Sequence, residues 1–413
     1  MMILEKNTII KRLVSLDLLK AYGILMMVQG HTLDAILNAT SKATGVYHFL
    51  TYLRGFTAPV FLFAAGIGFM ISMSRRKDDA PLKNFFIRLK HLIPIIAFGY
   101  FLHLPFFSLY KVLFRTTPAE VAQLFISDIL QVIGFTIIGL QIVSIFIKKP
   151  SGLALFSGGA TILCFVLTPF FGLIKYPNDI PIFIFQLLSR AGGSLFPMFP
   201  FSVYLLVGVI ARYFVVSPVR GHAFKGEASF MKTEKSEFNT STLKSKRSSN
   251  GVNKTKYYAL LVGLFLLSIG WALGRLGHTD NRLGQLFYLH GSLVSQRVGG
   301  VILLWAIFMF FDNAKGWLVR VLTDIGKASF LIYVVHIMIV FGSVANKDLN
   351  LKNPWGGNLG FGPATLIALI VVLTMCLLGI LWIRAKEKYP FYAKWARNGI
   401  WLLILGLFLF RPY

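Results

Sequence analysis

Eight histidines, and several charges set inside apolar runs, are the residues through which this chain could do chemistry. An imidazole can take a proton from an attacking hydroxyl or amine, or carry an acyl group itself. His31 closes a run that opens Ser15-Leu16-Asp17-Leu18-Leu19-Lys20 and ends Val28-Gln29-Gly30-His31. Asp17 and Lys20 are three apart, so on a helix they share a face and can pair. His31 lies fourteen residues beyond Asp17, about 21 Å along a helix. One helix thus carries an ion pair at one end and an imidazole at the other. His48 is the second candidate base, placed in a segment preceding Arg54. A guanidinium at Arg54 or Arg190 can stabilise the oxyanion of a tetrahedral intermediate. Asp128 and Gln131 share one helix face, and Tyr333 and His336 share another. Arg75 and Arg76, with Lys20, are cations of the kind that bind phosphate.

Other chemistries find no support. Both cysteines, Cys164 and Cys376, lie in apolar runs, and no H-x-x-x-H spacing occurs, so no metal is expected. His31 and Asp34 are separated by only two residues, which is not the H-x-x-x-x-D pattern of soluble acyltransferases. No Gly-rich phosphate loop, Ser-His-Asp arrangement or glycosidase carboxylate pair can be read out.

The elements that must position these residues are membrane helices. The 413 residues are 56% hydrophobic and only 14% charged, with a mean hydropathy of +0.68. A soluble domain carries about 25% charged residues. Eleven apolar segments can be marked, at about 14–37, 53–74, 91–109, 122–147, 153–174, 195–216, 257–274, 297–312, 328–345, 361–383 and 398–410. Spanning hydrocarbon takes about 20 helical residues, and the eighth and eleventh segments are short, so ten or eleven crossings are expected. The fold class expected is all-α, a polytopic integral-membrane bundle forming a single domain over 1–413. Six spans lie in 14–216 and five in 257–410. Residues 217–256, rich in Ser, Lys, Asn and Thr, read as a flexible basic linker between them.

The formal charge of +26 does not indicate nucleic acid, because the basic residues punctuate apolar runs. With the N-terminus in the cytoplasm, the inner segments hold 29 of the 42 Lys and Arg. That distribution follows the positive-inside rule. The expected location is a cytoplasmic or plasma membrane, crossed many times, with the first span uncleaved. Asp17, Lys20, Asp128 and His336 are costly there, at about 2.5–3.5 kcal/mol for a charge at mid-membrane. They therefore ask for a function.

Several runs resemble the transmembrane acyltransferases. Arg12, then Ser15-Leu16-Asp17, then Gly30-His31, is similar to the first span of the acyltransferase-3 family and of the related heparan-α-glucosaminide N-acetyltransferase-like family. The departure is Lys20-Ala21 where Arg-Gly is usual. The segment 48–66 resembles the second-span signature of the heparan-type branch. Asp128-Ile129-Leu130-Gln131-Val132-Ile133-Gly134 is similar to its Asp-x-Leu-Gln-x-Ile-Gly motif. The runs 196–201 and 326–336 also fit, so the likeness extends over about 12–345.

The resemblance implies ten or eleven helices and transfer of an acyl group, often acetyl from acetyl-CoA as co-substrate, to a sugar or other acceptor across the membrane. The catalytic histidine ends the first span in one branch, which maps to His31. It lies in the first outer loop in the other, which maps most nearly to His48. Partners implied are acyl-CoA, a glycan or small hydroxyl or amine acceptor and the bilayer, with no nucleic acid and room for a homo-oligomer. A transporter or flippase, using Asp17, Lys20, Asp128 and His336 as an intramembrane path, is the alternative reading.

Overall fold

A computed structural model describes residues 13–74, 81–173, 180–227, 240–276, 282–342 and 348–411. The molecule is an all-α polytopic membrane bundle. Helix α1 (Val14–Ile36) runs through its middle, with Leu19, Ile24 and Ile36 wholly buried. Two short helices follow, α2 (Ala39–Lys42) and α3 (Gly45–Arg54). The Asn38 side chain and the Thr44 hydroxyl accept the orphan N–H groups at their starts. Gly55 and Phe56 turn the chain into α4 (Thr57–Ser74). Next come α5 (Pro81–Phe101), α6 (Leu109–Phe114), α7 (Pro118–Leu124), α8 (Ile129–Phe146), α9 (Pro150–Leu173) and α10 (Ile182–Leu188). Helix α11 (Met198–Glu227) is kinked at Phe199, whose φ of −100° and ψ of 114° leave helical geometry. This is the irregular stretch that Pro197 and Pro200 foreshadow. The second half holds α12 (Thr240–Leu276), α13 (Arg282–Met309), α14 (Trp317–Lys327), α15 (Ser329–Phe341), α16 (Lys352–Trp355), α17 (Phe361–Lys388) and α18 (Pro390–Phe410).

Among the described residues, eight helical stretches are long and apolar enough to cross a membrane, and α14 with α15, bent by 68°, passes the same test as a pair. Helices α1 and α5 have 23 and 21 residues, but Asp17, Lys20 and Asp34 in one and Lys83, Arg88 and Lys90 in the other dilute their apolarity. Each of the eleven expected segments therefore has a helix. The eighth is displaced: α13 starts at Arg282, so Arg297 sits in mid-helix and not in an outer loop. The expected linker 217–256 falls partly outside the described residues, at 228–239. On either side of that gap, α11 and α12 extend into it as helix.

Packing in lipid relies on close backbone approach. Gly66 of α4 lies against the Leu205 carbonyl of α11, and Gly208 of α11 against the Phe63 carbonyl of α4. Gly326 of α14 lies against the Asp17 carbonyl of α1. A methyl group at any of these three would force the helices apart, which costs about 1–3 kcal/mol. The Gly326 contact, with the Lys327–Glu387 ion pair at 3.6 Å, marks one end of the bundle. The Leu37–Leu359 bridge marks the other.

Candidate active site

His31 is brought to His336. The two residues are 305 apart in sequence, yet His31 Nδ1 lies 3.1 Å from His336 Nε2. Their rings stack with centroids 5.3 Å apart, and Phe341 packs edge-on against His31 at 5.6 Å. His336 is wholly buried, and its Nδ1 lies 2.8 Å from the Ile332 carbonyl one turn back on α15. These partners assign the protons of the neutral rings. A carbonyl oxygen only accepts, so His336 Nδ1 carries hydrogen and its Nε2 presents a lone pair. His31 Nδ1–H must then donate to that lone pair. The remaining nitrogen of His31, Nε2, holds a lone pair with no hydrogen-bond partner among the described residues. The pair thus resembles a base held by a second group that fixes its tautomer.

One turn away, Tyr333 donates its hydroxyl to Asp128 Oδ2 at 2.6 Å, and its ring meets that of His336 at 5.9 Å. Asp128 is the N-cap of α8: its Oδ1 accepts the Ile129 N–H at 2.6 Å, and its own N–H donates to Gln131 Oε1 at 3.1 Å. The expected shared face of Asp128 and Gln131 is therefore a capping box. Gln131 is wholly buried and serves that turn. His103, just past α5, approaches Asp128 Oδ2 at 3.8 Å.

Arg54 is close by and held by several partners. It pairs with Asp34 at 2.6 Å, donates to the Gly30 carbonyl at 3.1 Å and Thr51 Oγ1 at 2.9 Å, and lies over the Tyr47 ring. Tyr47 donates to the same Asp34 carboxylate, and the Lys42 ammonium donates to the Asp34 carbonyl at 2.7 Å. This collar fastens α2 and α3 to the last turns of α1, beside His31. The structure places the Arg54 guanidinium in this collar, next to the end of α1 that carries His31. His48 is on α3, not in a loop, and is exposed, its ring meeting only Tyr47 at 6.3 Å. The structure does not bring His48 to His31.

The remaining expected residues divide. Asp17 and Lys20 pair at 2.8 Å at the far end of α1, with Asp17 buried. Arg190 is exposed and donates to the Leu195 carbonyl at 3.3 Å. Arg75 and Arg76 lie outside the described residues. Two features went unread in the sequence. Asp34 appeared only as a failed motif. Arg297 looked like a loop charge, but in mid-helix its guanidinium donates to the Tyr52 carbonyl at 2.8 Å and stacks over Phe56 and Tyr52. Its place at the end of α3, against Gly55, fits the helix C-terminus, where cations are favoured. No group of three or more metal-ligating side chains occurs among the described residues.

No curated protein matches the chain at a significant level. The acyltransferase domain family does, over residues 13–383, from the start of α1 almost to the end of α17 and across every residue of the histidine cluster. The chain therefore belongs to the acyltransferase-3 family and is a multi-pass membrane acyltransferase.

Proposed function

We propose that His31 Nε2 is the catalytic base, or the acyl carrier, in transfer of an acetyl group from acetyl-CoA to a hydroxyl or amine of a sugar-type acceptor at the outer face. The observation that carries this reading is the hydrogen-bond chain from His31 to His336 to the Ile332 carbonyl, which leaves one imidazole lone pair available. In the direct route, Nε2 takes the proton of the acceptor as its oxygen or nitrogen attacks the thioester carbonyl. The C–S bond then breaks, and the coenzyme A thiolate leaves and receives that proton. His336 Nε2 holds the Nδ1–H of the resulting imidazolium. In the alternative route Nε2 attacks the thioester carbonyl and expels the coenzyme A thiolate, forming an acyl-imidazole; the acceptor then attacks that carbonyl, the C–N bond breaks, and the acceptor proton passes to the thiolate.

The donor is read as entering from the cytoplasmic end, where Lys20, Arg75 and Arg76 suit its phosphates. Acetyl as the acyl group, and a glycan as acceptor, follow from the likeness to heparan-α-glucosaminide N-acetyltransferase-like proteins. The transporter reading loses ground to the family membership, and it has no use for a fixed tautomer at His31.

The test is labelled acetyl-CoA supplied to membranes holding the wild type or the variants His31→Ala and His48→Ala. Loss of the base should cost about 10²–10⁴-fold in transfer, and His48→Ala should stay within a few-fold of wild type. A His31→Ala enzyme that keeps most of its transfer rate, or a His48→Ala enzyme that loses it, overturns the assignment. Label trapped on wild-type protein in the absence of acceptor selects the two-step route.

A further inference from the structure

The elbow between α17 and α18 lies beyond the matched acyltransferase region, which ends at residue 383. Helix α18 has no buried residue along its 21 positions. Its far half leans on α5 and on the stretch that follows it through the ring contacts Trp401–Phe98 and Phe408–Phe107. Its near half follows α17 directly. Between them lies a crevice of about 400 Å³ lined by Trp382, Ala385, Tyr389, Tyr392, Ala393 and Ala396. The lining is apolar and aromatic, and small alanines hold it open. Five exposed cations lie on the same stretch of the two helices: Arg384, Lys386, Lys388, Lys394 and Arg397. None of the five has an ion-pair partner among the described residues. The one local carboxylate, Glu387, is directed to Lys327 at 3.6 Å. Aromatic rings level with Lys and Arg mark the depth of lipid headgroups. The Lys327 contact puts the elbow at the Asp17 end of the bundle, the end assigned to the cytoplasm.

From this juxtaposition of an open apolar slot and an unneutralised basic rim, we infer that the α17–α18 elbow is a binding site for an anionic phospholipid of the inner leaflet. One acyl chain lies in the crevice, and the phosphate headgroup sits among Lys386, Lys388, Lys394 and Arg397. A zwitterionic lipid fills the slot equally well but leaves the rim uncompensated, so selectivity comes from charge. The site holds none of the residues of the histidine cluster and does not rest on the catalytic reading.

The experiment uses the full chain reconstituted with equal amounts of phosphatidylglycerol and phosphatidylcholine, then purified. The lipid that stays with the protein is extracted and weighed by class. Wild-type protein should enrich phosphatidylglycerol severalfold. The combined variant K386Q/K388Q/K394Q/R397Q should lose that enrichment, while K83Q/K90Q, which neutralises two exposed lysines on α5, should keep it. Ala393→Trp, which fills the crevice without changing charge, should also lose it. Equal enrichment in all variants overturns the site. So does displacement of the lipid by added coenzyme A, which would make the rim a donor site. Burial of the elbow by a second copy, seen as Ala393→Trp turning a dimer into a monomer, also overturns it.

Discussion

The two ends of α1 carry the same raw material, charged or titratable side chains in an apolar helix, and use it differently. At one end Asp17 and Lys20 close on each other at 2.8 Å, and Asp324 and Lys327 do the same nearby at 2.8 Å. At the other, His31 has one nitrogen held by His336 and one left over. Carboxylates occur there too, but each is consumed: Asp34 by Arg54 and Tyr47, Asp128 by Tyr333 and the start of α8. The lesson is that saturated pairs hold the helix in place, while a ring nitrogen left over on His31 is one where a reaction can occur.

Four substitutions bear on this contrast. The largest effect is expected at the saturated end. Lys20→Met removes the cation paired with the buried Asp17 carboxylate, and breaking such a pair costs about 3 kcal/mol or more. Asp17→Asn should cost less, because the Lys20 side chain is 23% exposed and reaches water. Thermal unfolding of the two variants in detergent measures the difference, and equal losses would break the asymmetry. Next comes His336→Ala at the unsaturated end. It leaves His31 free to adopt either tautomer, so transfer should fall about 10²-fold with little change in donor affinity. The orienting carboxylate of a Ser-His-Asp triad is worth about 10⁴-fold. Acetyl transfer at saturating donor is the measurement, and an unimpaired rate would reduce His336 to packing. The smallest effect is Tyr333→Phe, which withdraws one donor from buried Asp128 at a cost of about 1–3 kcal/mol. Its unfolding midpoint should drop while His31-dependent transfer persists, because the Tyr333 hydroxyl is bonded to Asp128 and not to His336.

How much of this the sequence discloses depends on range. The Asp17–Lys20 pair is legible because i,i+3 spacing alone places both on one face. The eleven segments are legible because lipid demands length and apolarity. His31 was marked as an imidazole at a helix end. Its partner was not, because 305 residues of intervening chain carry no local signal of their meeting. The same holds for Tyr333 and Asp128, 205 apart. A polar side chain at Gln131 in an apolar run is legible, but its use of Oε1 to cap the start of α8 becomes visible only in the structure. Arg297 was misplaced because hydropathy ends a span at the first arginine, whereas aromatic faces and a carbonyl accommodate it in mid-helix.

The break at Ala328 carries one more consequence. Below it, α14 lays Gly326 on α1 and offers Lys327 to Asp324 and Glu387; above it, α15 restarts at a new angle and delivers His336. The joint therefore sets the rotational phase of the upper helix while the lower one is clamped. A helix turns about 100° per residue, so one residue gained or lost there would swing His336 to another face of α15. Chain length at this corner is held more tightly than the identity of the residues that form it.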